Sequence, residues 1–345
     1  MKRTNLFNYA TSELSQDAII AWLLEWGNPE YKNCDLALHK CSHEIIHFLF
    51  RLHSKECPGK IDKIEISKQS RSIDILCIVN FDHAIIIEDK KGTKEHGDQL
   101  PKYINDVLGR NFQAEKIVPI YFQTHEQSHY GEVESSGYKL FSREDILPIL
   151  RKHNSPNNIF LDFRAKLEEL HEMFLSYLNA PLSKWDWYSW QGFYKHLQRE
   201  LKLTGEVWRY VANPAGGFLG FYWLWNDDLE HGCGVYLQLE ESKFCFKIGD
   251  VESAVRTQAR SKWFSLIQER SRGFHFQVQK PARFGNGNYM TVAVLSDEYR
   301  VVNEDGLLDF AKTVDLIRNI EAMMTSLFNQ TGKHDASISP INSVS

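Results

Sequence analysis

Residues 70–103 read SRSIDILCIVNFDHAIIIEDKKGTKEHGDQLPKY, and their pattern decides the fold. Two apolar runs, Ile73 to Val79 and Ala84 to Ile87, flank Asn80-Phe81-Asp82-His83. Short β-branched runs on either side of turn-forming residues predict an antiparallel hairpin. The second strand ends on Glu88-Asp89-Lys90. Side chains alternate between faces along a strand, so Glu88 and Lys90 point one way and Asp89 the other. Asp74, near the start of the first strand, falls across the hairpin close to Glu88. Two carboxylates and an ammonium then converge at one edge of a sheet. Such a set suits a hard divalent cation, which takes one or two carboxylates plus waters and a substrate phosphate. A neighbouring lysine orients an attacking water or offsets charge on the phosphate. The competing reading is a solvated salt-bridge cluster, but charges that end a wholly apolar strand need partners.

Asp74 followed by Glu88-Asp89-Lys90 resembles the (P)D…(D/E)-x-K signature of the PD-(D/E)XK nuclease superfamily, with Ile73 standing where the proline is usual. Two further features resemble one prokaryotic branch of that superfamily. Gln99-Leu100-x-x-Tyr103 opens the helix after the motif strand, and Asn5-Leu6-Phe7 leads into Ser12-Glu13-Leu14-Ser15-Gln16-Asp17 and Trp22-Leu23-Leu24. The resemblance covers roughly residues 5 to 150 and implies an α/β, restriction-endonuclease-like core, an α-β-β-β-α-β mixed sheet flanked by helices. It also implies Mg²⁺ or Mn²⁺ held by Asp74 and Glu88, with the Asp89 carbonyl and Glu13 completing the set. Lys90 acts on the water and Gln99 supports the cluster. The expected activity is hydrolysis of phosphodiester bonds, in DNA.

The flanking sequence gives the same element order. Residues 11 to 26 form a helix capped by Thr11 or Ser12, with Ile19, Trp22, Leu23 and Trp26 on its apolar face. Glu13, Gln16 and Asp17 lie together on another face of its first turn. An alternative for Glu13 is that it serves only the positive end of the helix dipole. Strands are expected within Lys60 to Lys68, Lys116 to Thr124 and Gly137 to Phe141. A helix is expected from Asp98, as its N-cap, past Tyr103, and another runs from the Ser142-Arg143-Glu144-Asp145 cap through Leu150. Gln99 and Tyr103, four residues apart, share a face that returns to the acidic edge.

The rival motif is His43-Glu44-Ile45-Ile46-His47, an H-E-x-x-H that could bind zinc with Glu44 as general base in a metalloprotease. His53 sits where the longer zinc pattern wants a third histidine, but Phe50 occupies its glycine position. On a continuous helix His53 is turned about 120° from His47. Ile45, Ile46, Phe48, Leu49 and Leu52 make this a core-packing helix. A second rival is a catalytically silent nuclease fold that binds nucleic acid or protein.

The chain of 345 residues accommodates two domains, here 1–180 and 183–330, with a Ser/Asn-rich tail over 331–345 expected to be disordered. Arg151 to Asn158 is polar and turn-rich, and Leu161 to Leu178 is a helix. From Trp185 the composition turns aromatic. Strands over 206–212, 218–225, 234–239 and 243–247, a helix over 251–270, strands over 274–278 and 289–295, and a helix over 307–328 make this half α+β. Its tryptophans and tyrosines could stack on bases, but the core of a small sheet also needs them. A net charge of −5 argues against a broadly basic coat, although Lys60, Lys63, Lys68, Arg71, Lys90, Lys91 and Lys94 crowd the candidate site. Six cysteines lack a C-x-x-C pair, and neither a secretory segment nor a long apolar run is present, which fits a cytoplasmic protein with reduced thiols. A nucleic-acid partner is expected and a membrane is not. A homodimer or a partner protein is compatible with the sequence.

Overall fold

A computed structural model describes residues 4–70, 73–90, 99–213, 216–228 and 232–331. The expected basic residues Arg71, Lys91 and Lys94, the Asp98 cap and the tail beyond residue 331 lie outside them. The chain divides into two compact units, Met1–Met173 and Phe174–Ser345. The break falls near the end of a helix, for a local reason. The Phe174 ring packs edge-on against Tyr188 at 5.2 Å, and Gly192 lies against the Phe174 carbonyl, where a Cβ would come within 1.7 Å. The end of that helix therefore belongs with the second unit.

The first unit opens with α1 (Glu13–Glu25), capped by the Ser12 hydroxyl, and α2 (Leu36–Leu52), capped by Asp35. Then come β1 (Ile64–Ser70), β2 (Ile73–Val79) and β3 (His83–Lys90), paired antiparallel in sequence. The hairpin tip is at Asn80 and Phe81, both in the left-handed region. Asn80 tolerates that conformation and uses its amide to bind Asp62 N, Lys63 N and Lys60 O, which pins the chain entering β1. The first strand therefore starts at Ile64, not Lys60.

After α3 (Gln99–Leu108), β4 (Ile117–Gln123) joins β3 in parallel. The short α4 (Gly131–Ser135) leads to β5 (Lys139–Ser142), parallel to β4. The sheet order is β1-β2-β3-β4-β5. A Ser142–Asp145 capping box starts α5 (Arg143–Lys152), and α6 (Asn158–Leu175) comes next. This is the expected mixed sheet with helices on both faces. Ile75, Cys77, Ile85, Ile87, Val118 and Phe122 pack on one face with α1, α2, α5 and α6. Leu76, Ala84, Ile86 and Tyr121 pack on the other with Leu100, Tyr103 and Val107 of α3. Burial on both faces explains why β2 to β4 read as near-continuous apolar runs.

The second unit begins with α7 (Trp187–Glu200), a helix that the sequence pattern does not announce. A six-stranded antiparallel sheet comes after it, built from β6 (Trp208–Val211), β7 (Phe218–Asp228), β8 (Cys233–Glu240) and β9 (Lys243–Gly249). After α8 (Arg256–Ser271), β10 (Val278–Gln279) and β11 (Met290–Leu295) complete it in the order β10-β11-β9-β8-β7-β6. The chain then forms α9 (Phe310–Thr331). The expected strand over 274–278 shrinks to two residues because Phe274 ends a 3-10 turn and His275 is left-handed. The expected helix at 251 starts five residues later, at Arg256. Trp190, Phe193, Tyr194, Trp208, Phe221, Trp223 and Trp263 form the core, so most aromatics of this half are structural. Among the described residues, no helix is long and apolar enough to cross a membrane.

Candidate active site

The β2–β3 register pairs Ile75 with Ile87, which sets Asp74 opposite Glu88 at the open end of the hairpin. Asp74 Oδ2 accepts the Asp89 backbone N–H at 2.9 Å. Along β3, Glu88 and Lys90 share the α3 face, and Lys90 Nζ lies 2.7 Å from Glu88 Oε1. Asp89 faces the other way, toward α1, where Gln16 Nε2 donates to Asp89 Oδ1 at 2.5 Å. The expected alternation is thus present, and it divides the acids between the two faces of one strand.

These groups are deeply buried. Glu88 and Asp89 are 2% and 1% exposed, and the Lys90 side chain is 13% exposed. Burial, reinforced by the Asp74 charge, lifts the Glu88 carboxyl to about 7 despite the Lys90 ammonium beside it. Burial alone would lower Lys90, but Glu88, Asp74 and Glu13 together hold it above its ordinary value. Burial also raises Asp89 well above the carboxylate range. Asp17, within hydrogen-bond reach of Asp89, is pushed up to about 6 by burial and by Asp74. Glu88 Oε2, Asp89 Oδ2 and Asp17 Oδ1 have no hydrogen-bond partner. Buried acid oxygens without donors call for a shared proton, as between Asp17 and Asp89, or for a cation.

Among the described residues no three His, Cys, Asp or Glu side chains form a ready-made metal cage. The donors nonetheless fit a hard dication that keeps several waters. Asp74 and Glu88 supply two carboxylates at one edge, and Glu88 has an unpartnered oxygen there. Glu13, the first residue of α1, is half-buried and close enough for its charge to act on both Lys90 and Asp17. Tyr103 is buried on α3 with its phenol raised by burial and by the charges of Glu88 and Asp74. Gln99 opens the same helix, half-buried, but no hydrogen bond joins it to the carboxylates among the described residues.

The structure adds residues that sequence reasoning does not assign. Asp17 and Gln16 reach Asp89 across 72 and 73 positions, and the visible signal is only their common helical face with Glu13. Gln123 pairs with Lys90 in the β3–β4 register, is 1% exposed, and its Oε1 has no partner. Lys68 Nζ donates to Leu14 O at 3.3 Å, so one member of the expected basic run is spent on α1.

The residues of the zinc alternative are engaged with other groups. His43 Nε2 bonds Gly27 O at 2.9 Å, whereas Glu44 turns to Lys152 and His153, each at 2.9 Å. His47 is exposed and His53 bonds Pro119 O at 2.7 Å. The helix that carries the motif packs Ile45, Ile46, Leu49 and Phe50 into the core.

A family model described as the PD-(D/E)XK nuclease superfamily matches residues 4–179, just over half of the chain. No curated protein and no solved structure matches it.

Proposed function

The chain belongs to the PD-(D/E)XK nuclease superfamily, and on that premise we propose that it is a divalent-metal-dependent nuclease that hydrolyses phosphodiester bonds in DNA. The observation that carries the reading is the Glu88–Lys90 pair on one face of β3 with Asp74 opposite it. Asp74 and Glu88 hold Mg²⁺ or Mn²⁺, with the Asp89 carbonyl and Glu13 completing the set. When bound, the ion polarises the scissile phosphate and acidifies a water. Lys90, its ammonium kept charged by the surrounding acids, positions that water and offsets the charge developing on the phosphate. The apolar strands behind the site keep bulk water from these groups, which strengthens each interaction. Gln99, one turn ahead of Tyr103 on the helix that faces the acids, supports the cluster.

The test is cleavage of supercoiled plasmid by wild type, Asp74→Ala and Lys90→Ala in Mg²⁺, Mn²⁺ or EDTA. Wild type nicks or linearises the plasmid in either metal, and EDTA or either substitution abolishes this while circular dichroism shows the fold retained. Full activity in Lys90→Ala, or in EDTA, refutes the assignment.

A further inference from the structure

Behind the acidic edge, on the face of the sheet away from Glu88 and Lys90, lies a buried polar chain that the proposed chemistry does not use. Gln16 Nε2 donates to Asp89 Oδ1, and Gln16 Oε1 accepts the Thr124 hydroxyl at 3.1 Å. The Thr124 carbonyl accepts from Arg143 Nη1 at 2.5 Å, and Arg143 Nη2 pairs with Glu126 at 2.5 Å. Gln16, Thr124 and Arg143 are all buried. One helical side chain thus ties the end of β3 to the residue just after β4.

From this geometry we infer that Gln16 is a positioning residue that sets the affinity of the site for its divalent cation. The inference rests on the metal-dependent reading above and deepens it. Gln16 fixes the Asp89 side chain, and Asp89 in turn donates its backbone N–H to Asp74 Oδ2. Rotation of the Asp89 unit would therefore move the Asp74 carboxylate and the Asp89 carbonyl together. A glutamine suits this place because one amide offers a donor to the acid and an acceptor to the hydroxyl. A carboxylate would add negative charge beside Asp17 and Asp89, and an apolar side chain would strip the donor from Asp89 Oδ1 and leave the Thr124 hydroxyl with His125 Nδ1 at 3.2 Å. Partners that orient metal-ligating carboxylates typically contribute about 10–100-fold in metal affinity.

The test measures Mn²⁺ binding by the paramagnetic resonance of free Mn²⁺, without DNA, alongside melting temperature and cleavage. The proteins are wild type, the near-isosteric Gln16→Met, and Thr124→Val, which removes the hydroxyl that bonds Gln16 and His125 and keeps the Gln16–Asp89 bond. Gln16→Met is expected to weaken Mn²⁺ binding about 10–100-fold, and Thr124→Val in the same direction by less than about 10-fold. Cleavage should regain its maximum rate at higher Mn²⁺, whereas a purely structural role would lower the melting temperature and leave binding unmoved. Mn²⁺ affinity within twofold of wild type in a folded Gln16→Met overturns the inference. If that variant does not melt cooperatively, unchanged binding in Thr124→Val overturns it. A wild type that binds Mn²⁺ tightly, with both variants weakened but no DNA cleaved, keeps the inference and sinks the nuclease reading. A wild type that binds no Mn²⁺ sinks both.

Discussion

In the second unit Trp263 Nε1 donates to the buried Asp228 at 2.8 Å, and Trp223 Nε1 donates to the half-buried Glu321 at 2.5 Å, so each of these acids meets an indole N–H. At the end of β3 in the first unit, Glu88, Asp89 and Asp17 are at least as buried, yet each keeps an oxygen that no donor reaches. Among the described residues these three are the only carboxylate oxygens of that kind. Leaving a buried polar atom without a partner costs about 1–3 kcal/mol. A chain that does so three times around the end of one strand, on both of its faces, leaves room for a partner it does not itself supply. Buried acids with donors are architecture, and buried acids without them mark chemistry.

The largest effect that could break this contrast is stabilisation by a dication. Mn²⁺ at 100 times its dissociation constant should stabilise wild type by about 2.7 kcal/mol, read as a rise in melting temperature. Asp74→Ala should lose that rise altogether. Asp228→Leu should keep it, because it strips the acceptor from Trp263 and leaves the acids at the end of β3 in place. The cost there is about 1–3 kcal/mol of stability for the stranded indole N–H, measured by denaturant unfolding. Loss of the Mn²⁺ effect in Asp228→Leu would erase the distinction between the two regions.

A smaller effect sharpens the contrast by reversing a sign. Asp17→Asn removes one charge from the buried acid set and supplies an amide donor to Asp89. It should stabilise the metal-free protein by about 1–2 kcal/mol at neutral pH, and shrink the gain from Mn²⁺. Removal of a satisfied acid destabilises, whereas removal of an unsatisfied one should do the reverse. A lower melting temperature for metal-free Asp17→Asn would show that Asp17 and Asp89 are structural after all.

Local pattern makes some of this legible in the sequence. Asp74, Glu88 and Lys90 can be placed because strand alternation and a short hairpin fix which residues share a face. The Ser12 cap and the Ser142–Asp145 box are equally local. The bonds from Gln16 to Asp89 and Thr124 span 73 and 108 positions and depend on how α1 docks on the sheet, which no spacing rule contains. In the aromatic run at 185–190 the tryptophans hide α7, although Asp186 and Ser189 form its capping box. Gln99 shares a helical face with Tyr103, and among the described residues no hydrogen bond joins its amide to the acids.

The smallest expected effects belong to the helix whose sequence spoke loudest for a metal. His47 is exposed, so His47→Ala should change stability by no more than about 0.5 kcal/mol and leave Mn²⁺ binding and cleavage untouched. His43→Ala loses the bond to Gly27 O and should cost about 0.5–1.5 kcal/mol. Burial holds His43 below its ordinary pKa of 6.5, so the unfolded chain takes up a proton first as pH falls. Its contribution is therefore complete above about pH 6.5 and declines below it, and the gap between wild type and His43→Ala should narrow in acid. Stoichiometric zinc in protein purified without chelator, lost in either variant, would instead restore His43-Glu44-Ile45-Ile46-His47 as a site. Its side chains are committed to Gly27, Lys152 and His153, and a metal there would have to break those bonds first.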